Sequence, residues 1–234
     1  MNISSAQQSR STTIPGSTRP GWPELGLAAG AYAVALALGI WWIDSTPQHL
    51  GELRGYVSYF VSGVAGILAL LAATRARRLP FAAFGLARVR GKWIAIALVV
   101  GAVVYWANQF VAVGYIAIFG NDTPQADYQA AASASVISLI LTLLLGAGLT
   151  GLGEEVFFRG VVANVLWRFG PWAGVVVSAL LFALVHGVNL VFPLAFTVGL
   201  VNAILFRLSG SVWPCVIVHV VYNGISNVGF ALVG

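Results

Sequence analysis

Charge is what this sequence has least of: Asp, Glu, Lys and Arg make up 8% of its 234 residues, where a soluble domain carries about 25%. A chain so poor in charge cannot cover a water-exposed surface. Its 59% hydrophobic content and mean hydropathy of +0.89 read as an integral membrane protein. Cysteine is scarce too. Cys215 stands alone, which excludes an internal disulfide and the paired-cysteine spacing of a structural zinc site. The connections between apolar stretches are too short to hold a separate soluble domain, so the expected architecture is a single helical bundle.

The charge that is present is unevenly placed. The formal net charge of +5 invites a nucleic-acid reading. However, Arg75, Arg77, Arg78, Arg88, Arg90 and Lys92, half of all the Lys and Arg, fall in one connection between two apolar stretches. Such concentration is the positive-inside signal and puts the 75–92 loop in the cytoplasm. The same patch suits an anionic lipid surface, so membrane lipid is an expected partner and nucleic acid is not.

Residues 1–21, rich in Ser, Thr and Gln, read as a mobile cytoplasmic tail. No cleavable signal peptide is expected, because the first apolar run, about Leu25 to Ile43, is too long for one and ends in the interfacial pair Trp41-Trp42. Further apolar stretches run near Tyr56 to Thr74, Trp93 to Phe119, Ala132 to Trp167, Trp172 to Asn189, Leu190 to Leu208 and Val212 to Val233. With about 20 residues needed per crossing, the expectation is an all-α polytopic bundle of about seven spans. Eight result if the Ala132 stretch breaks near Gly146 to Gly153. Residues 120–129 carry Asp122 and Asp127 without Lys or Arg and belong outside. Arg54, in a loop also assigned outside, runs against that alternation.

The second half of the chain holds polar residues in apolar surroundings: Glu154, Glu155, Arg159, His186, His219 and Asn223. A carboxylate in a spanning segment costs roughly 2.5 kcal/mol or more, so it is normally turned inward, paired and functional. Residues four apart share a helix face. Glu155 is therefore expected to pair with Arg159, leaving Glu154 free for a water, a proton or a metal. Phe182 lies one turn before His186 and can wall its ring from lipid. His219 and Asn223 are again four apart and present a ring nitrogen and an amide in one direction, a donor pair suited to an oxyanion. Each of these features alone also fits ordinary interhelical hydrogen bonding. Together they supply a base, an imidazole and a donor pair, the residue types that hydrolysis by activated water needs.

The ordered triplet Glu154-Glu155-x-x-x-Arg159, Phe182-x-x-x-His186 and His219-x-x-x-Asn223 resembles the CAAX-processing and bacteriocin-processing intramembrane protease family, also called the CPBP or abortive-infection family. The resemblance covers roughly Ala132 to Val233. It divides the chain into the tail (1–21), N-terminal transmembrane helices without a motif (22–131) and a catalytic helical region (132–234). It implies a bundle enclosing a polar, water-filled cavity open to the cytoplasm, in which Glu154 and His186 activate water and His219 with Asn223 stabilise the oxyanion. Glu155, Arg159 and Phe182 match supporting positions. The implied substrate is a hydrophobic or lipid-modified protein or peptide, and the location is a membrane such as the cell membrane.

Zinc held by Glu154, His186 and His219 is the alternative to a metal-independent glutamate mechanism, which the residues favour because no other free base is in view. No Gly-x-Ser-Gly, Gly-x-Gly-Asp or His-Glu-x-x-His motif occurs. Other readings are an ion- or proton-coupled transporter, since intramembrane Glu and His also build relays, and a non-catalytic scaffold of the same fold. One geometric demand follows for the leading reading. Glu154 has to lie deep, on a long or kinked helix, to reach His186.

Overall fold

The computed structural model describes residues 19–122 and 124–233, so most of the expected 1–21 tail lies outside the described residues. Those residues form an all-helical bundle. In chain order the helices are α1 (Trp22–Ser45), α2 (Gly51–Arg77), α3 (Gly91–Phe119), α4 (Ala126–Ser133), α5 (Val136–Phe169), α6 (Pro171–Leu184), α7 (Val191–Ser209) and α8 (Trp213–Val233), with a single 3₁₀ turn at Phe81–Phe84 between α2 and α3. Six of them, α1, α2, α3, α5, α7 and α8, are long and apolar enough to cross a membrane.

The seventh apolar stretch is the exception. Its helix, α6, has 14 residues and reaches only about 21 Å at 1.5 Å per residue, short of a hydrocarbon core about 30 Å thick. The chain turns back at Gly187, whose φ of +88° lies in the left-handed region that a side chain disfavours. Asn189 then caps α7, its Oδ1 accepting the Val191 N–H at 2.8 Å. His186 is thereby left at the tip of a helix about two-thirds as long as a crossing needs.

The long Ala132 stretch does not break at its glycines. Ser135 caps α5 by accepting the Ser138 N–H at 3.0 Å. The helix then runs for 34 residues and changes twice to π geometry, at Leu143–Leu149 and Val156–Ala163. A π turn widens the i→i+4 ladder to i→i+5 and re-aims the side chains that follow; such turns collect at functional sites. Glu154 and Glu155 close the short α-helical piece between the two π segments.

Helix α2 lies against this part of α5 at backbone distance. A Cβ built on Gly66 would come within 1.9 Å of the Gly153 carbonyl oxygen, and one on Gly153 within 1.9 Å of the Gly63 oxygen. Small residues let membrane helices approach this closely. Ion pairs fasten the two ends of the bundle. Glu24 accepts the Gly21 N–H at 2.7 Å and pairs with Arg77 at 2.6 Å, joining the start of α1 to the end of α2. At the other end Arg54 pairs with Asp127 at 2.9 Å and donates to the Ile43 and Thr46 carbonyls, where α1 ends. Arg54 is thus a neutralised, structural cation, which accounts for its disagreement with the loop charges.

Gly66→Ala should destabilise the protein by about 1–3 kcal/mol or more through overpacking, lowering its thermal midpoint in detergent. Gly26→Ala, where a Cβ meets nothing within 4 Å, should leave it unchanged or slightly raised. Equal midpoints for the two variants would contradict the close α2–α5 contact.

Candidate active site

The second glutamate of the pair is neutralised by an ion pair. Glu155 and Arg159 are both fully buried, and Arg159 Nη1 donates to Glu155 Oε1 at 3.1 Å. The Nε and Oε2 atoms approach to 3.0 Å, an ionic contact outside hydrogen-bond alignment. Asn202 of α7 donates to the same Oε1 at 2.9 Å, and His219 Nδ1 stands 2.8 Å from it. Arg159 Nη2 donates to the Gly199 carbonyl at 3.1 Å, and the guanidinium lies 4.6 Å from the centre of the Phe182 ring. The expected Glu155–Arg159 pair is present, and it draws in a residue that sequence reasoning passed over. Asn202 was visible as an amide within an apolar run, but it matched no motif.

The first glutamate has only part of its capacity used. Glu154 is 4% exposed, and its Oε1 accepts from Ser62 Oγ of α2. Its Oε2 is buried without a hydrogen-bond partner. That atom faces two imidazoles, with His186 Nε2 at 3.9 Å and His219 Nε2 at 3.7 Å. The deep placement that the leading reading demanded is therefore met, on an unbroken helix.

Backbone chemistry fixes how the rings are presented. His186 Nδ1 lies 2.7 Å from the Phe182 carbonyl oxygen. A carbonyl only accepts, so Nδ1 carries the proton and Nε2 is the nitrogen turned to Glu154. His219 has the same arrangement, because Glu155, bonded to Arg159, is an acceptor for Nδ1. Phe182 stands among these groups, its ring centre 4.7 Å from that of His186 and 6.0 Å from that of His219. It is a wall to the site, as the i,i+4 spacing suggested, and also a platform for Arg159.

Asn223 is placed differently from the simple donor pair. Its Nδ2 donates to the Gly146 carbonyl, in the first π segment, at 2.9 Å, which commits one of its two N–H groups. One turn further, the buried Asn227 accepts from Tyr59 Oη at 2.8 Å. Beside this face of α8 lies an open groove of about 440 Å³, lined by Leu143, Val220, Val221, Gly224, Ile225 and Val228. This groove is apolar, and it does not supply the polar cavity that the resemblance implied.

The fold and this cluster define a multi-pass membrane protein with a buried carboxylate–imidazole centre. The family model described as type II CAAX prenyl endopeptidase Rce1-like matches residues 134–225, a region that holds all three motifs, and the family resemblance drawn from them stands. No curated protein and no solved structure matches the chain.

Arg159→Met should be strongly destabilising, by about 3–5 kcal/mol, because it leaves the Glu155 carboxylate buried and uncompensated. The double variant Glu155→Gln/Arg159→Met should recover part of that loss. Chemical denaturation in detergent measures both, and equal stability of the single and double variants would refute the pairing.

Proposed function

We propose that this protein is an intramembrane endopeptidase that hydrolyses a peptide bond of a hydrophobic or membrane-associated protein with water activated by Glu154 and His186. The observation that carries the reading is the unpartnered Glu154 Oε2 facing two imidazole Nε2 atoms at 3.7–3.9 Å. A carboxylate oxygen and a bare Nε2 are both acceptors, and a water between them can donate one hydrogen to each. The water oxygen, with its lone pair freed, adds to the scissile carbonyl carbon while Glu154 takes its proton. The carbonyl oxygen becomes an oxyanion. When the tetrahedral intermediate collapses, the C–N bond breaks, the proton passes from Glu154 to the departing nitrogen, and a carboxylic acid and an amine leave.

The oxyanion role of His219 and Asn223 is narrower than spacing alone suggested. His219 Nδ1 is engaged by Glu155, so Nε2 is the one ring nitrogen it can turn to the oxyanion. Asn223 has the one N–H not given to Gly146. Glu155, Arg159 and Phe182 hold the imidazoles rather than touch the reacting atoms. A hydrophobic substrate is supported by the apolar groove beside His219 and Asn223. Placement of the basic 75–92 loop in the cytoplasm remains part of the proposal and follows from its charge. Glu154→Gln should lower cleavage of an apolar reporter peptide by the purified protein by roughly 10²-fold or more with little change in thermal midpoint. Undiminished cleavage would remove Glu154 from the mechanism.

Zinc fits this centre poorly. Among the described residues no three His, Cys, Asp or Glu side chains form a group arranged to hold a metal ion. A metal on Glu154 would also take the free base, and Glu155 cannot replace it while Arg159, Asn202 and His219 occupy its Oε1. No step is therefore routed through a metal. Cleavage should survive exhaustive chelation, and stoichiometric zinc whose removal abolishes cleavage and whose return restores it would reverse this assignment.

A further inference from the structure

We infer that Ser62, in the half of the chain that carries no motif, is a positioning residue for Glu154 that fixes the plane of its carboxylate so that one oxygen stays bare toward the imidazoles. Its Oγ donates to Glu154 Oε1, a contact made from a helix outside the 134–225 region that the family model covers. The terminal torsion of a glutamate is broad and roughly two-fold, so the carboxylate plane is set by its hydrogen bonds. Glu154 has one such bond, on Oε1, while Oε2 is left bare toward His186 and His219.

A serine inside a membrane helix ordinarily gives its proton to the carbonyl one turn back. Ser58 does so, donating to the Arg54 carbonyl at 2.8 Å. Ser62, one turn further along α2, instead donates across the interface. The interface that permits this is the glycine contact of Gly63 and Gly66 with Leu149 and Gly153, which sets Ser62 beside the residue following Gly153. The donor is neutral and the acceptor ionic, a charge-assisted bond stronger than that between two neutral groups. With the hydroxyl removed, the carboxylate plane can turn away from this orientation, and the direction of the bare acceptor that receives the water's proton is no longer fixed.

The kinetic part of the test rests on the hydrolase reading, whereas a spectroscopic part does not. An infrared difference spectrum of the full-length protein, wild type minus Glu154→Gln, locates the Glu154 carboxylate bands. Ser62→Ala and Ser62→Cys should both shift those bands. With an apolar fluorogenic peptide both should lower kcat, roughly tenfold or more for Ala, with KM little changed. Ser62→Thr, which keeps the hydroxyl, should restore both signals. Bands unmoved in Ser62→Ala and Ser62→Cys, or unchanged kcat, would overturn the assignment, as would a fall in kcat with unmoved bands, the mark of a merely structural serine. If Ser62→Ala does not fold, Ser62→Cys decides by the same criteria. A wild-type protein that cleaves nothing counts against the hydrolase reading, and the bands then decide the role of Ser62 alone.

Discussion

The arrangement depends on how one buried carboxylate is satisfied. Glu155 sits with no exposed surface among apolar helices, where an ion lacking partners would be neutralised or expelled. Its answer is an Arg on its own helix, an amide from α7 and an imidazole from α8. A buried ion pair is weak evidence of stability, since the cost of desolvating two ions can exceed their attraction. What this one gives is direction. Arg159 is locked by Glu155 on one side and the Gly199 carbonyl on the other, and its guanidinium covers Phe182. Phe182 in turn stands against both imidazoles. Charge compensation and orientation of the site are the same set of contacts.

Backbone irregularity lets those contacts form in one place. The α5 helix carries Glu154 and Glu155, which close the α-helical piece between two π segments, and α6 stops at about two-thirds of the length a crossing needs, so that His186 ends at the same centre. The glycines of α2 allow a third helix to come within backbone distance of Gly153. Each of these departs from a regular membrane span. Regular helices of full length would spread the same residues over different depths.

Much of this was legible in the sequence, for reasons that mark where legibility ends. Hydropathy over 20-residue windows located every long helix, because burial in lipid acts on whole segments. The Glu155–Arg159 pair followed from helix periodicity, a local rule, and the ordered His motifs signalled a shared site. Ser62 and Asn202 were not found, because their roles come from helix–helix contacts across 92 and 47 positions, and a serine in a run of small residues looks like packing. Arg54 misled the loop-charge count for the same reason. Its partner, Asp127, is 73 residues away. The shortness of α6 was also hidden, since its apolar stretch continues past the turn at Gly187.

The adjacency of the two glutamates can now be given a physical meaning. Consecutive residues on a helix point about 100° apart, so Glu154 and Glu155 leave α5 toward different neighbours, and no single cation neutralises both. One imidazole spans the gap: His219 meets Glu155 with Nδ1 and turns Nε2 to Glu154. A proton on Nδ1 is held there by Glu155, and the charge that Glu154 loses on taking a proton is felt at Nε2 of the same ring. The carboxylate paired with arginine is thereby coupled to the unpaired one without touching it. A single glutamate could not be both neutralised by an arginine, to orient the rings, and without such a partner, to accept a proton. Two neighbours on one helix turn divide those requirements, and His219 keeps them in register.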